Sequence, residues 1–236
     1  DKTSLDDTLS YLNIKFATDY FAVILFNITD YGELFNSDGD SKNAEELKLI
    51  HFVLTNVVEE LTGKSHQGFV TEIDDMMACL VNFRNTDTES FIEDMVRISN
   101  EAQQFLLNKF KITMTIAISN IHETMGGINQ AFLETLEALE YKVVMGSNAV
   151  ILYESIKNST LNSGSYSYSL ETEQKLINYV KASDYESAEA LLNEIFNNNL
   201  NHDSISLSMI KCLMVDLICT MTKTMDEIGG NHDKDF

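Results

Sequence analysis

Not one of the 236 residues is proline. No turn or helix end can be set by a pyrrolidine ring, and such boundaries have to be read from Gly, Asn, Asp and Ser. Positive charge is scarce as well. Sixteen basic side chains stand against 37 acidic ones, a formal charge of −21. A chain this negative is repelled by phosphate backbones and anionic headgroups, so neither nucleic-acid binding nor membrane contact is expected of it. There are only three cysteines, Cys79, Cys212 and Cys219, all in apolar runs. Their odd number and spacing exclude a disulfide framework or zinc site and predict buried small hydrophobes in a reducing compartment. No run approaches ~20 uninterrupted apolar residues. The polar start DKTSLDD is not a signal peptide, and a cytoplasmic location is expected.

Several catalytic signatures are also missing. There is no Gly-x-x-x-x-Gly-Lys, no Gly-x-Gly-x-x-Gly, no His-Glu-x-x-His and no Gly-x-Ser-x-Gly. The histidines, His51, His66, His122, His202 and His232, are scattered, which predicts surface or capping roles. Gly126-Gly127 has no adjacent Lys or Arg to complete a phosphate site and reads as a plain loop. The acidic stretch 36–46, NSDGDSKNAEE, lacks the glutamate that closes a calcium loop and reads as a solvated loop.

What is present is 44% hydrophobic residues, ample for a core. Residues 20–28, YFAVILFNI, form a continuous apolar run that predicts a central strand with Asn27, Thr29 and Asp30 at its polar end. Leu47, Ile50, Leu54, Val57, Val58 and Leu61 share one helical face over 44–61, ended by Gly63. Residues 68–73 and 76–83 read as an antiparallel hairpin turning at Asp74-Asp75, which is not the favoured Asp-Gly pair. Residues 88–110 read as a helix capped by Asp87 or Thr88, with Phe91, Met95, Ile98, Ala102, Phe105, Leu106 and Lys109 in phase. A strand at 112–118, a helix at 129–144 facing inward through Phe132, Leu136, Leu139 and Val143, and a short edge strand at 149–153 complete the body.

That order predicts an α+β fold of ferredoxin-like type, an antiparallel sheet with helices on its faces over residues 1–157. A polar connector follows at 158–169, then a small all-helical unit at 170–228 with segments 170–180, 185–196 and 206–228, then a polar tail at 229–236. Both chain ends read as cuts or linkers in a longer protein. In the last segment Leu207, Ile210, Met214, Leu217, Met221, Met225 and Ile228 step by three or four residues. Such a stripe packs either on the other two helices or on a partner chain.

The strand ending in polar residues and the acidic hairpin of VTEIDDMMACL together resemble the nucleotidyl-cyclase-like GGDEF fold. In active members of that family the turn reads Gly-Gly-Asp/Glu-Glu-Phe and the first strand ends in Asp-x-Asp-x-Phe. The glycines admit nucleotide phosphates, and the carboxylates hold two divalent ions. Here Asp74 and Asp75 match the acidic positions, but Glu72 and Ile73 replace the glycines, and Asn27 and Thr29 replace the two aspartates. The resemblance therefore implies a degenerate site: no enzyme, no cofactor, no metal, with Glu72, Ile73, Asp74 and Asp75 left as a turn.

Over residues 12–228 the chain further resembles the degenerate GGDEF-like domain and helical linker of AraC-type regulators. The resemblance is carried by LNIKFATDYFAVILFNITDY, INQAFLETLEALEYKVVMGSNAVILYESI, SLETEQKLINYVKASDYESAEALLNEIF and SLSMIKCLMVDLICTMTKTMDEI. It implies a homodimer between an upstream membrane sensor or receiver domain and a downstream helix-turn-helix domain outside this chain. Leu207, Ile210, Met214, Leu217, Met221 and Met225 would then carry the transmitting contact. The alternative is a module that senses GTP or cyclic di-GMP in the old pocket. Its phosphates would need cations from among Lys42, Lys48, Lys64, Arg84, Arg97, Lys109 and Lys111.

Overall fold

The computed structural model describes residues 7, 9–11, 13–31, 40–85, 90–160, 166–200 and 206–232, without side-chain burial at 40–46, 157–160 and 230–232. Its organising element is Phe21–Asp30 (β1), whose first six residues are all buried. β1 pairs antiparallel with Met76–Asn82 (β3) on one edge, Ile24 opposite Cys79. On the other edge it pairs antiparallel with Thr113–Ile118 (β4), Ile24 opposite Ile118. A strand bonded on both edges and covered on both faces needs apolar side chains in both directions, which AVILF supplies. Gln67–Ile73 (β2) closes the hairpin with β3, and Val150–Leu152 (β5) extends the far edge. The order is β2-β3-β1-β4-β5. β5 runs parallel to β4, a departure from the all-antiparallel expectation, because the segment between them crosses back over the sheet through a helix.

The helices lie on both faces. Asp40–Gly63 (α1) and Phe91–Phe110 (α2) bury Ile50, Leu54, Val58, Met95, Ile98, Ala102 and Leu106 against Ala22, Ile24 and Phe26. Ile128–Glu140 (α3) packs on β1 and β4, where the alternate residues Val23 and Leu25 are buried outside that cluster. The stripe expected for α3 is rotated. Ala131, Glu134, Thr135, Ala138 and Leu139 are buried, Phe132 and Leu136 are half-buried, and Val143 lies exposed in a separate turn, Lys142–Met145 (α4). The reason is Glu134, a buried acid that accepts the Asn120 N–H at 2.9 Å and meets His122 at 3.1 Å. A charged residue in the stripe hides it from a hydrophobic count.

Two further boundaries differ from expectation. α1 begins at Asp40, so residues 40–46 of the supposed acidic loop are helical; residues 36–39 lie outside the described residues. Acidic side chains early in a helix favour its positive N-terminal end. The Asp87 or Thr88 cap falls outside the described residues, and Ser90 occupies the N-cap of α2, its side chain making no capping hydrogen bond. In α2, Phe105 is 39% exposed and Gln103 takes its inward place by donating to the Met114 carbonyl at 2.9 Å.

Where α1 meets β2, a Cβ on Gly68 would stand 2.0 Å from the Thr62 hydroxyl oxygen, so only glycine lets strand and helix end approach this closely. The adjoining His66 is fully buried, against expectation. Its ring lies edge-on to Phe83 at 4.8 Å, beside the Phe83–Phe91 stack, and its Nε2 is 3.1 Å from Asp94. Asp94 also takes a hydrogen bond from Arg97 at 2.9 Å.

Contacts divide the chain into Asp1–Ser155 and Ile156–Phe236. The helix Tyr153–Thr160 (α5) takes up residues 158–160 of the expected connector. In the second unit Leu170–Lys181 (α6), Tyr185–Leu200 (α7) and Leu207–His232 (α8) share a core of Leu176, Ile195, Leu213 and Leu217. The end of the connector is part of this core rather than a free linker. Tyr166 and Tyr168 pack against it, and Asn199 clamps Ser167 by accepting its N–H at 2.6 Å and donating to its carbonyl at 3.0 Å. α8 runs on through Gly229 to His232, so the expected tail begins helical.

Burial is the main cause that holds the His66 pKa below its ordinary value, outweighing the Asp94 contact. The unfolded chain then takes up a proton at a higher pH than the folded one. Stability contributed by neutral His66 is present above about pH 6.5 and is lost as pH falls through and below that value. The melting-temperature advantage of the native chain over His66→Gln should therefore shrink between pH 7.5 and pH 5.5, measured by circular dichroism; a gap that widens toward acid would contradict it.

Candidate functional site

The β2–β3 connection has only two residues, Asp74 and Asp75, and both have positive φ, 49° and 62°. Two left-handed residues joining paired strands make a type I′ turn, whose twist matches that of the strands it joins. Aspartate, like asparagine, tolerates this conformation better than most residues with a Cβ do. The turn therefore has a structural reason to be Asp-Asp. Both carboxylates are exposed.

Beside the turn lies a cavity of about 420 Å³ lined by Tyr31, Leu47, Lys48, His51, Glu72 and Asp75. Three pieces of chain meet there: the residue after β1, one turn of α1 and the end of the hairpin. Glu72 is drawn to α1 by His51, whose Nδ1 is 3.0 Å from its carboxylate. His51 Nε2 is buried with no hydrogen-bond partner. Burial raises the Tyr31 pKa, and the Asp75 and Glu72 charges push it further. The site thus offers one ammonium, one imidazole and one phenol next to two carboxylates.

The residues singled out in the sequence do not all converge here. Glu72 and Asp75 line the cavity, whereas Asp74 does not. Ile73 pairs across the hairpin with Met76. Thr29 turns to β4: its hydroxyl donates to the Ser147 carbonyl at 2.7 Å and lies 3.2 Å from the Thr113 hydroxyl. Asn27 sits opposite Thr115 in the sheet. Tyr31 follows β1 while Lys48 and His51 share α1, and no motif marked them. Of the six candidate cations whose side chains are described, only Lys48 lines the cavity, and Arg97 is committed to Asp94.

These donors do not fit a pair of divalent ions. Thr29 is engaged elsewhere, Glu72 is held by His51, and no cluster of three or more metal-binding side chains occurs among the described residues. Gly126-Gly127 has a packing role: a Cβ on Gly127 would meet the His122 ring at 2.6 to 2.9 Å. Each described histidine ring thus faces a carboxylate, His51 with Glu72, His66 with Asp94 and His122 with Glu134, in place of the surface and capping roles expected.

In the helical unit the six residues expected to carry the transmitting contact divide. Leu207, Ile210 and Leu217 are buried, Met214 is half-buried, Met221 packs on the unit's own core, and Met225 is 61% exposed. Cys79 is buried, but Cys212 and Cys219 are exposed. No described helix is long and apolar enough to cross a membrane.

A family model described as "GGDEF-like domain" matches residues 1–141. The "Uncharacterized HTH-type transcriptional regulator YtdP" of Bacillus subtilis (strain 168) is 21% identical over 193 residues, 79% of this chain and 25% of that protein. The chain thus spans about a quarter of that relative's length. Among solved structures, the active GGEEF domain of a diguanylate cyclase from Vibrio cholerae aligns over 64% of this chain and 90% of its own. That match has 14% identity and a TM-score of 0.40, too remote to transfer residue roles.

Asp75→Gly should stabilise the chain by about 0.5 to 1 kcal/mol, because glycine adopts the left-handed conformation without strain, while Asp75→Val should destabilise it. Urea unfolding followed by circular dichroism reads both; a loss of stability in the glycine variant would show that the carboxylate holds the turn.

Proposed function

This chain belongs to the GGDEF-like domain family, and from that premise we propose that it is a non-catalytic regulatory region of an AraC-type helix-turn-helix transcription factor. In this reading an upstream sensor or receiver domain acts on the α/β body, and the helical unit passes the change to a DNA-binding domain outside the chain. The observation that carries it is the Glu72–His51 pair. Where an active member needs glycine so that phosphates can approach the turn, this chain places a carboxylate and fixes it with an imidazole. Phosphate would meet the charges of Glu72 and Asp75 with Lys48 as the ammonium in the cavity lining. The relative named as a transcriptional regulator supports the regulatory setting; the net charge of −21 agrees with DNA contact lying elsewhere.

A second reading, a pocket that senses a nucleotide, draws on one observation: Lys48, His51 and Tyr31 together line a cavity of about 420 Å³. The two readings separate by thermal unfolding, since a ligand that binds only the folded state at 100 times its Kd adds about 2.7 kcal/mol. Melting temperatures with millimolar GTP, cyclic di-GMP and Mg²⁺, alone and combined, should coincide with that of the bare chain. A saturable rise that disappears in Lys48→Ala would replace transmission without a ligand by nucleotide sensing.

A further inference from the structure

The face of α8 that the helical unit buries is not its only apolar one. Leu213, Leu217, Thr220 and Thr224 point into the unit, each under a tenth exposed. At 100° per residue the opposite side carries Cys212, Val215, Ile218, Cys219, Thr222 and Met225. Val215 is 57%, Ile218 64% and Met225 61% exposed, and both cysteines are exposed. Thr222 directs its hydroxyl to the Ile218 carbonyl at 2.8 Å, so its polar atom is satisfied within the helix. Single exposed apolar residues need no explanation, but a line of them over four turns marks a contact surface.

The charges at the ends of this line indicate the occupant. Lys211 and Asp226, both exposed, bracket it at equal distances from the Ile218–Cys219 step. Laid antiparallel on a second copy with the two-fold axis through that step, the stripe is complementary to itself. Lys211 meets Asp226, Cys212 meets Met225, Val215 meets Thr222, Ile218 meets Cys219, and Ser208 meets Gly229. An isologous interface requires this reciprocity. A parallel pairing would stack Lys211 on Lys211 and Asp226 on Asp226, which is unfavourable.

We propose that this exposed face of α8 is the surface on which two copies of the chain associate, antiparallel about the Ile218–Cys219 step. The contact leaves Leu217 and Met221 in the core of each copy, so association does not compete with folding of the helical unit.

Sedimentation velocity of the full 236-residue chain, run from micromolar to hundreds of micromolar, should show a reversible dimer. Ile218→Glu should weaken it at least tenfold, with the melting temperature unchanged within about 2 °C. Register is tested independently by oxidising a Cys219→Ser, Met225→Cys double variant. Cys79 stays out of this reaction because it is buried, which pushes its thiol up to about 12. Peptide mapping should find position 212 of one copy linked to position 225 of the other. A chain monomeric throughout the range, a dimer indifferent to Ile218→Glu, or links joining 212 to 212 and 225 to 225 would each overturn the proposal. If Ile218→Glu fails to fold, the cross-link decides.

Discussion

The fold depends on β1 being bonded along both edges while covered on both faces. That double constraint requires an uninterrupted apolar strand, puts β3 and β4 on either side of it, and leaves β2 and β5 as the strands at the sheet edges. Once β3 is fixed, the two-residue connection fixes β2, and the end of the hairpin is carried to the same end of the sheet as the residues that follow β1. The cavity beside Asp75 is a consequence of that placement. It exists because three chain segments are delivered to one corner of the sheet.

What occupies the corner decides its chemistry. A hairpin turn with two left-handed residues can be made from Asp-Asp without any ligand to hold, so carboxylates at the turn are not by themselves a sign of metal binding. The side chains around them point the same way. Glu72 is tied to an imidazole across the gap to α1, and Thr29 is used to tie β1 to the Ser147 backbone. The Glu72–His51 contact joins hairpin and helix, which in the proposed reading suits a body that moves as one piece.

Much of this was legible in the sequence where one physical signal dominated. The apolar run of β1, the hairpin at Asp74-Asp75 and the buried series Ile50, Leu54, Val58 follow from periodicity alone. Polar residues with tertiary partners were not legible. Glu134 hid the true inward face of α3, and His66 is buried and His51 half-buried where carboxylates from distant segments meet them, which no local pattern announces. The stripe of α8 shows the same limit. Two apolar series run along that helix, and choosing Leu213 over Met225 for the inner one needed the positions of α6 and α7. The tyrosines of the connector likewise counted as loop until Asn199 was seen to clamp Ser167.

The proposal that this corner is non-catalytic is tested most directly by turnover. The purified chain, incubated at high concentration with GTP and either Mg²⁺ or Mn²⁺ and followed by chromatography for cyclic dinucleotide, should give no product above the protein-free control. Product that accumulates with time and vanishes in Asp75→Asn would contradict the account, because it would mean that Glu72 and His51 part to admit phosphate.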